Sequence, residues 1–227
     1  FFLIAAVCLS GCGNAGDGGN SAASSDTSSA NAEIIDNGDG SWSCDLFAMD
    51  TVMQLKAFGG KEAQRALAKA SDEITKLDRE LNVANENSPV SALNRRQADI
   101  VTGDTAEVLE QSLRMAELTG GTFDPTIYPI VRAWGFTTQK YRVPDASEIT
   151  ELLNHVGYGS VSASKDNSGL HILFGDEQME IDTGGIGKGY ASEKVYDIMK
   201  EEGVTSAVVS LGGNVMTLGK KTDGSSW

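Results

Sequence analysis

Between Lys61 and Leu81 the apolar residues Ala63, Leu67, Ala70, Ile74, Leu77 and Leu81 recur at steps of four and three. That spacing predicts one long helix with a single buried stripe, laid on something flat. Ahead of it the stretch 45–57 alternates and reads as one strand containing Met49-Asp50-Thr51-Val52-Met53, ended by Gly59-Gly60. Asp104 followed by Glu107 forms a capping-box-like start for a second helix, with Val108, Leu109, Leu113 and Ala116 inward and Gly120-Gly121 at its end. Pro144 and Asp145 introduce a third, whose buried face would be Ile149, Leu152, Leu153 and Val156. Short strands are expected at 160–163, 170–174 and 179–181, with turns at Asp166-Asn167-Ser168-Gly169 and Gly175-Asp176. A helix near 188–202 and strands at 204–211 and 215–218 follow. With no internal repeat, the pattern gives an α+β class: mixed sheets with packed helices.

The first residues read differently. Phe1 to Leu9 is an apolar run of signal-peptide length, too short to span a bilayer as a helix, and Leu9-Ser10-Gly11-Cys12 resembles a bacterial lipobox. Residues 1–11 would then be a signal remnant, and cleavage before Cys12 would leave a lipid-modified N-terminus. Residues 12–35, dominated by Gly, Ser, Ala, Asn and Asp, would form a flexible tether, with the body at 36–227. The expected location is therefore outside the cytoplasm, anchored to a bacterial membrane. Cys8 would leave with the signal and Cys12 would carry lipid, so Cys44 is expected as a small buried hydrophobe without a disulfide partner. Asp36-Asn37-Gly38-Asp39-Gly40 lacks the ligand spacing of a calcium loop and reads as a tight turn entering a strand. The chain opens on Phe1 and stops at Trp227 after a strand-like stretch, so it reads as a fragment.

Charge narrows the partners. Eighteen Lys and Arg against 32 Asp and Glu give a formal charge of −14 with no basic run, which argues against nucleic acid. Three glycine-bearing segments carry the candidate chemistry. Ile181-Asp182-Thr183-Gly184-Gly185-Ile186-Gly187-Lys188-Gly189-Tyr190-Ala191 runs from a strand into a helix, where backbone N–H groups and Lys188 suit an anion. It fits neither a Walker A loop nor a dinucleotide fingerprint, and a plain strand-to-helix connection is the bland alternative. In Gly120-Gly121-Thr122-Phe123-Asp124-Pro125-Thr126, Pro125 can stand in the first turn of a helix capped by Asp124; Trp134 and Phe136 follow as flat surfaces beside Gly135. Leu211-Gly212-Gly213-Asn214 is a strand end that permits close backbone approach or a bulge.

Taken in order, Met49-Asp50-Thr51, Ser91-Ala92-Leu93-Asn94, Gly121 to Thr126 with Trp134-Gly135-Phe136, the 181–191 turn and Leu211 to Asn214 resemble the ApbE family of FAD:protein FMN transferases. The resemblance implies a T-fold-like α+β architecture, incomplete at its C-terminal end. It implies FAD contacts from Met49, Thr122, Phe123, Asp124, Asp182 and Lys188, and a magnesium ligand in the Gly185 carbonyl. Asp50 stands where that family usually has Gly, and Ala84 where it often has an aromatic. The implied reaction moves FMN from FAD onto a Thr or Ser hydroxyl of an acceptor protein, releasing AMP. Asp182 would be the catalytic carboxylate, binding either the nucleotide or a metal-bound water. Alternatives are FAD pyrophosphatase activity and a non-catalytic FAD-binding lipoprotein. Family members continue well past a segment like 211–227 with further magnesium ligands, so this chain alone is expected to be nearly inactive. His155 and His171 lie outside every motif and are expected to be solvated or core residues.

Overall fold

The computed structural model describes residues 32–227; the expected signal remnant, the lipobox and nearly all of the tether lie outside them. Strands β1 (Ile34–Asp36), β2 (Ser41–Ala48) and β3 (Thr51–Phe58) are joined to β7 (Ser206–Leu211) and β8 (Asn214–Gly219) in an antiparallel sheet of order β1-β2-β3-β7-β8. Strand β1 takes up two positions assigned to the tether by composition, and the 36–40 segment is the turn from β1 into β2. Helices α1 (Lys61–Leu81) and α6 (Gly184–Glu201) pack side by side over this sheet. Helix α3 (Gly103–Leu118) touches both of them. It also touches a second, three-stranded sheet of order β4-β6-β5, formed by β4 (Ile100–Val101), β5 (Val161–Asp166) and β6 (Gly169–Phe174). The short helices α2 (Pro89–Asn94), α4 (Tyr128–Ala133) and α5 (Ala146–Leu152) complete the α+β arrangement.

Helix α1 spans the residues its periodicity predicts, and its stripe is fully buried apart from a slight exposure of Leu81. Each of Leu67, Ile74 and Leu77 removes a whole branched side chain from water, worth about 1.5–3 kcal/mol apiece. Cys44 is buried on β2, and that burial pushes its thiol up to about 11.

Five expectations are corrected. The single strand over 45–57 is a hairpin: Met49 and Asp50 both take left-handed backbone (φ 49° and 58°), the two-residue turn whose twist matches its flanking strands. Asp tolerates that conformation far better than bulky residues do, which accounts for Asp50, while the Met49 N–H is tied to Asp78 Oδ1. The capping box at Asp104 and Glu107 does not form, because charged groups on α1 and α6 claim both carboxylates. No residue of α5 is buried and Leu153, in the 3-10 turn after it, is half exposed, since this segment lies at the surface against α4. Residues 179–181 make only one bridge, Ile127 to Glu180, rather than a strand. Finally, α4 begins at Tyr128 with Pro129 in its first turn, and Asp124 caps the preceding turn instead of a helix.

Candidate functional site

Two hairpin tips stand together at one end of the five-stranded sheet. Because Met53 on β3 pairs with Leu211 on β7, the Met49-Asp50 tip lies beside Gly212-Gly213, the left-handed turn between β7 and β8 (φ 59° and 91°). A Cβ at Gly212 would fall 2.4 Å from Thr51 Cγ2, so only glycine allows the two tips to meet. The Met49 N–H donates to Asp78 Oδ1 on α1 at 2.9 Å, which ties the first tip to the helix beneath it.

The start of α6 is delivered to the same place by side chains rather than by a sheet. Asn94 pairs with the Ile181 peptide in both directions: its Nδ2 donates to the Ile181 carbonyl at 2.8 Å, and the Ile181 N–H donates to its Oδ1 at 2.7 Å. Arg96, itself left-handed (φ 57°), donates to the carbonyls of Asp176, Glu177 and Met179 at 3.0, 3.1 and 2.7 Å. Its guanidinium also lies 4.0 Å over the Phe174 ring. The Asp182 N–H donates to the Pro125 carbonyl at 2.7 Å, and the Thr183 hydroxyl to the Leu81 carbonyl at 3.0 Å.

Between these parts opens a cavity of about 520 Å³. Met49 to Thr51, the end of α1 with the following 82–84, the loop after α4 and the first turns of α6 each supply part of its wall. Met49, Asp182 and Lys188, the first and last motifs of the expected FAD site, share it. Helix α6 begins at Gly184, four residues before the sequence-predicted start, so the glycines form its first turns. The Gly184 N–H donates to Asp182 Oδ1 at 2.7 Å, while those of Ile186 and Gly187 return to the Thr183 carbonyl. The Gly185 N–H has no partner among the described residues, and its end of the helix dipole is positive.

Asp182 is the electrostatic exception of this wall. Burial raises its carboxyl pKa, against the Gly184 N–H bond and the Lys188 charge, which both lower it. Asp50 and Asp78 line the cavity as well, so three carboxylates face one ammonium there.

Thr122, Phe123 and Asp124 do not line the cavity; of the three, Phe123 packs against the start of α6. A Cβ on Gly185 would fall 2.7 Å from Phe123 Cε2, so the ring lies directly against that glycine. Asp124 is spent on the scaffold: Oδ1 accepts from the Thr126 N–H and hydroxyl at 2.8 and 2.6 Å, and Oδ2 from the Tyr158 N–H, beyond α5, at 2.9 Å. His155 bonds Asp176 and His171 bonds Ser168, both away from the cavity lining.

The sequence model of the ApbE family matches residues 49–227. The chain belongs to the ApbE family. It is 26% identical over 180 residues to the FAD:protein FMN transferase of Treponema pallidum (strain Nichols), covering 75% of this chain and 50% of that one. With the FAD:protein FMN transferase of Klebsiella pneumoniae (strain 342) it shares 29% over 188 residues, covering 79% and 53%. Among solved structures, the ApbE protein from Thermotoga maritima msb8 superposes with a TM-score of 0.70 at 27% identity, over 85% of this chain and 60% of that chain. The chain thus spans about half the length of the curated relatives it matches.

Against this ApbE frame, sequence reasoning missed Asp78 and Arg96. Asp78 sits on the polar side of an amphipathic helix, where a functional carboxylate looks like any solvated one. Asn94 was part of a motif, yet nothing in the spacing shows that it holds a peptide 87 residues away. Ala84 and Phe136 both line the cavity, one small and one aromatic.

Proposed function

We propose that this ApbE chain is the FAD-binding portion of an FAD:protein FMN transferase. The observation that carries the reading is the single cavity in which Met49, Asp182 and Lys188 meet the first turns of α6. In the reaction, the hydroxyl oxygen of an acceptor Thr or Ser bonds to the FMN-side phosphorus of FAD. The bond from that phosphorus to the bridging oxygen breaks, and AMP leaves with that oxygen. The hydroxyl proton passes to a cavity carboxylate, for which Asp182 is suited because its raised pKa favours accepting one. Lys188 and the positive end of α6 offset charge on the phosphate oxygens, and Asp78 keeps the Met49 tip in position. The acceptor is a protein carrying a flavinylation motif, of the kind found in respiratory or electron-transfer subunits.

Magnesium dependence belongs to the same proposal. Three carboxylates against one lysine would repel a diphosphate unless a cation came with it. Among the described residues there is no cluster of three or more His, Cys, Asp or Glu arranged for a metal. That suits magnesium, which is usually held by one or two protein oxygens together with phosphate oxygens and water. A carboxylate of the cavity wall would hold it; Gly185, the ligand that the family resemblance implies, packs against Phe123 and is not among the residues lining the cavity. Bound there, the ion would neutralise charge developing on the transferring phosphoryl group. We further propose that the protein is exported and lipid-anchored through Cys12; mass spectrometry of the mature N-terminus tests this, and an unmodified Cys12 would refute it.

Incubating the protein with FAD, magnesium and an acceptor protein, followed by a denaturing gel, tests the transfer reading. A fluorescent acceptor band with stoichiometric AMP is the expected result for a protein of the relatives' length that contains this chain, and nearly none for this chain alone. Free FMN with AMP would replace transfer by pyrophosphatase activity, and FAD retained without AMP would leave a binding protein.

A further inference from the structure

Phe136 is the one aromatic among the described residues that line the cavity, and its side chain is 55% exposed. A large ring left open to water is unfavourable unless something held its orientation or covers it in use. Its orientation is held from behind. Trp134 lies parallel to it, with ring centroids 6.0 Å apart and an interplanar angle of 2°, and Tyr141 leans on it at 6.2 Å. The loop is shaped for this: Gly135 is left-handed (φ 77°), and a Cβ there would fall 2.1 Å from the Lys140 carbonyl oxygen. The Arg142 N–H donates to the Trp134 carbonyl at 3.1 Å and closes the loop. Met49, Leu81, Val83, Ala84 and Val131 supply apolar wall to the same cavity, whereas Asp182, Lys188 and the start of α6 supply its polar wall.

We propose that Phe136 is a stacking platform for a flat heteroaromatic ring of the nucleotide. The inference rests on the FAD-binding reading and adds a residue and a subsite to it. A cavity with an apolar side bearing one oriented ring, and a polar side suited to phosphate, fits a ligand built as ring plus diphosphate. FAD carries two such rings, isoalloxazine and adenine, and the platform serves one of them.

The test is titration of the wild-type protein and three variants with FAD, FMN and AMP, followed by flavin fluorescence and calorimetry. Phe136→Ala is expected to weaken FAD about tenfold and to lose part of the flavin quenching, as removing an aromatic partner from a stacked base does. Phe136→Trp should restore both. Tyr141→Ala should weaken FAD less than Phe136→Ala, because Tyr141 only leans on the ring and does not itself line the cavity. Weakening of FMN assigns the isoalloxazine ring, weakening of AMP assigns adenine, and either supports the platform. Equal affinity of wild type and Phe136→Ala for all three ligands, with melting temperatures alike, overturns the inference and leaves the FAD reading standing. Absence of FAD binding by the wild type overturns both.

Discussion

Two carboxylates near α6 have opposite surroundings. Asp104 lies with Lys76, Lys194 at 3.0 Å and the Tyr190 hydroxyl at 2.6 Å. Burial alone would raise its pKa, but these partners together hold the carboxyl well below the usual carboxylate range. The same hydroxyl lies 2.5 Å from Glu107, and burial with two neighbouring carboxylates pushes the Tyr190 pKa far upward. Asp182, by contrast, keeps one N–H bond and a raised pKa. Saturation marks the group that joins α1, α3 and α6; under-neutralisation marks the group to which the proposed function gives the ligand.

Breaking the saturated cluster should have the largest effect. Asp104→Ala leaves two lysines and a tyrosine without their shared acceptor, and the expected loss is about 2–3 kcal/mol, read by chemical denaturation. It is set at the low end for a buried ion pair because both lysines are partly open to solvent, where such pairs are weakened. Tyr190→Phe removes one donor from the network and should cost about 1 kcal/mol.

Asp182→Asn should act in the other direction. It retains an oxygen for the Gly184 N–H, removes an unfavourable charge and raises the melting temperature wherever the wild-type carboxylate is ionised. The pH dependence sharpens the contrast. Asp182 has a folded pKa above its unfolded one, so the native state binds its proton more tightly; its contribution is greatest below the usual Asp pKa of about 3.9 and falls as pH rises through the folded value. Asp104 is depressed, so its contribution is present above about 3.9 and is lost as pH drops towards its folded pKa. Stability differences between wild type and each variant should therefore slope oppositely across the acid range. Parallel profiles would show that the two carboxylates are not differently poised. Smallest of all, Asp50→Gly should stabilise the β2–β3 tip by a few tenths of a kcal/mol, since glycine is easier to hold left-handed.

Much of the fold was legible because it obeys one period. Helix α1 has an unbroken stripe on a flat neighbour, and no tertiary demand conflicts with it. The β2–β3 turn was hidden because Met49-Asp50 lacks the glycine that signals a left-handed pair. Asp104 and Glu107 were read as local caps, although lysines distant in sequence compete for them and win. Within the site, Met49, Asp182 and Lys188 were named from their motifs and share one cavity, while Thr122, Phe123 and Asp124 sit behind its wall. Asp78 and Arg96 were illegible, since their hydrogen bonds go to backbone groups that only folding brings to them.

The segment ahead of Asp182 is secured in an unusual way. A lone amide, Asn94, does for Ile181 what a neighbouring strand does elsewhere, donating and accepting once each. Fastening at a point differs from fastening along a line, because a zipped strand shifts only by breaking a ladder. Here the segment is pinned at separate points: Asn94 on Ile181, the Pro125 carbonyl on the Asp182 N–H and the Leu81 carbonyl on the Thr183 hydroxyl.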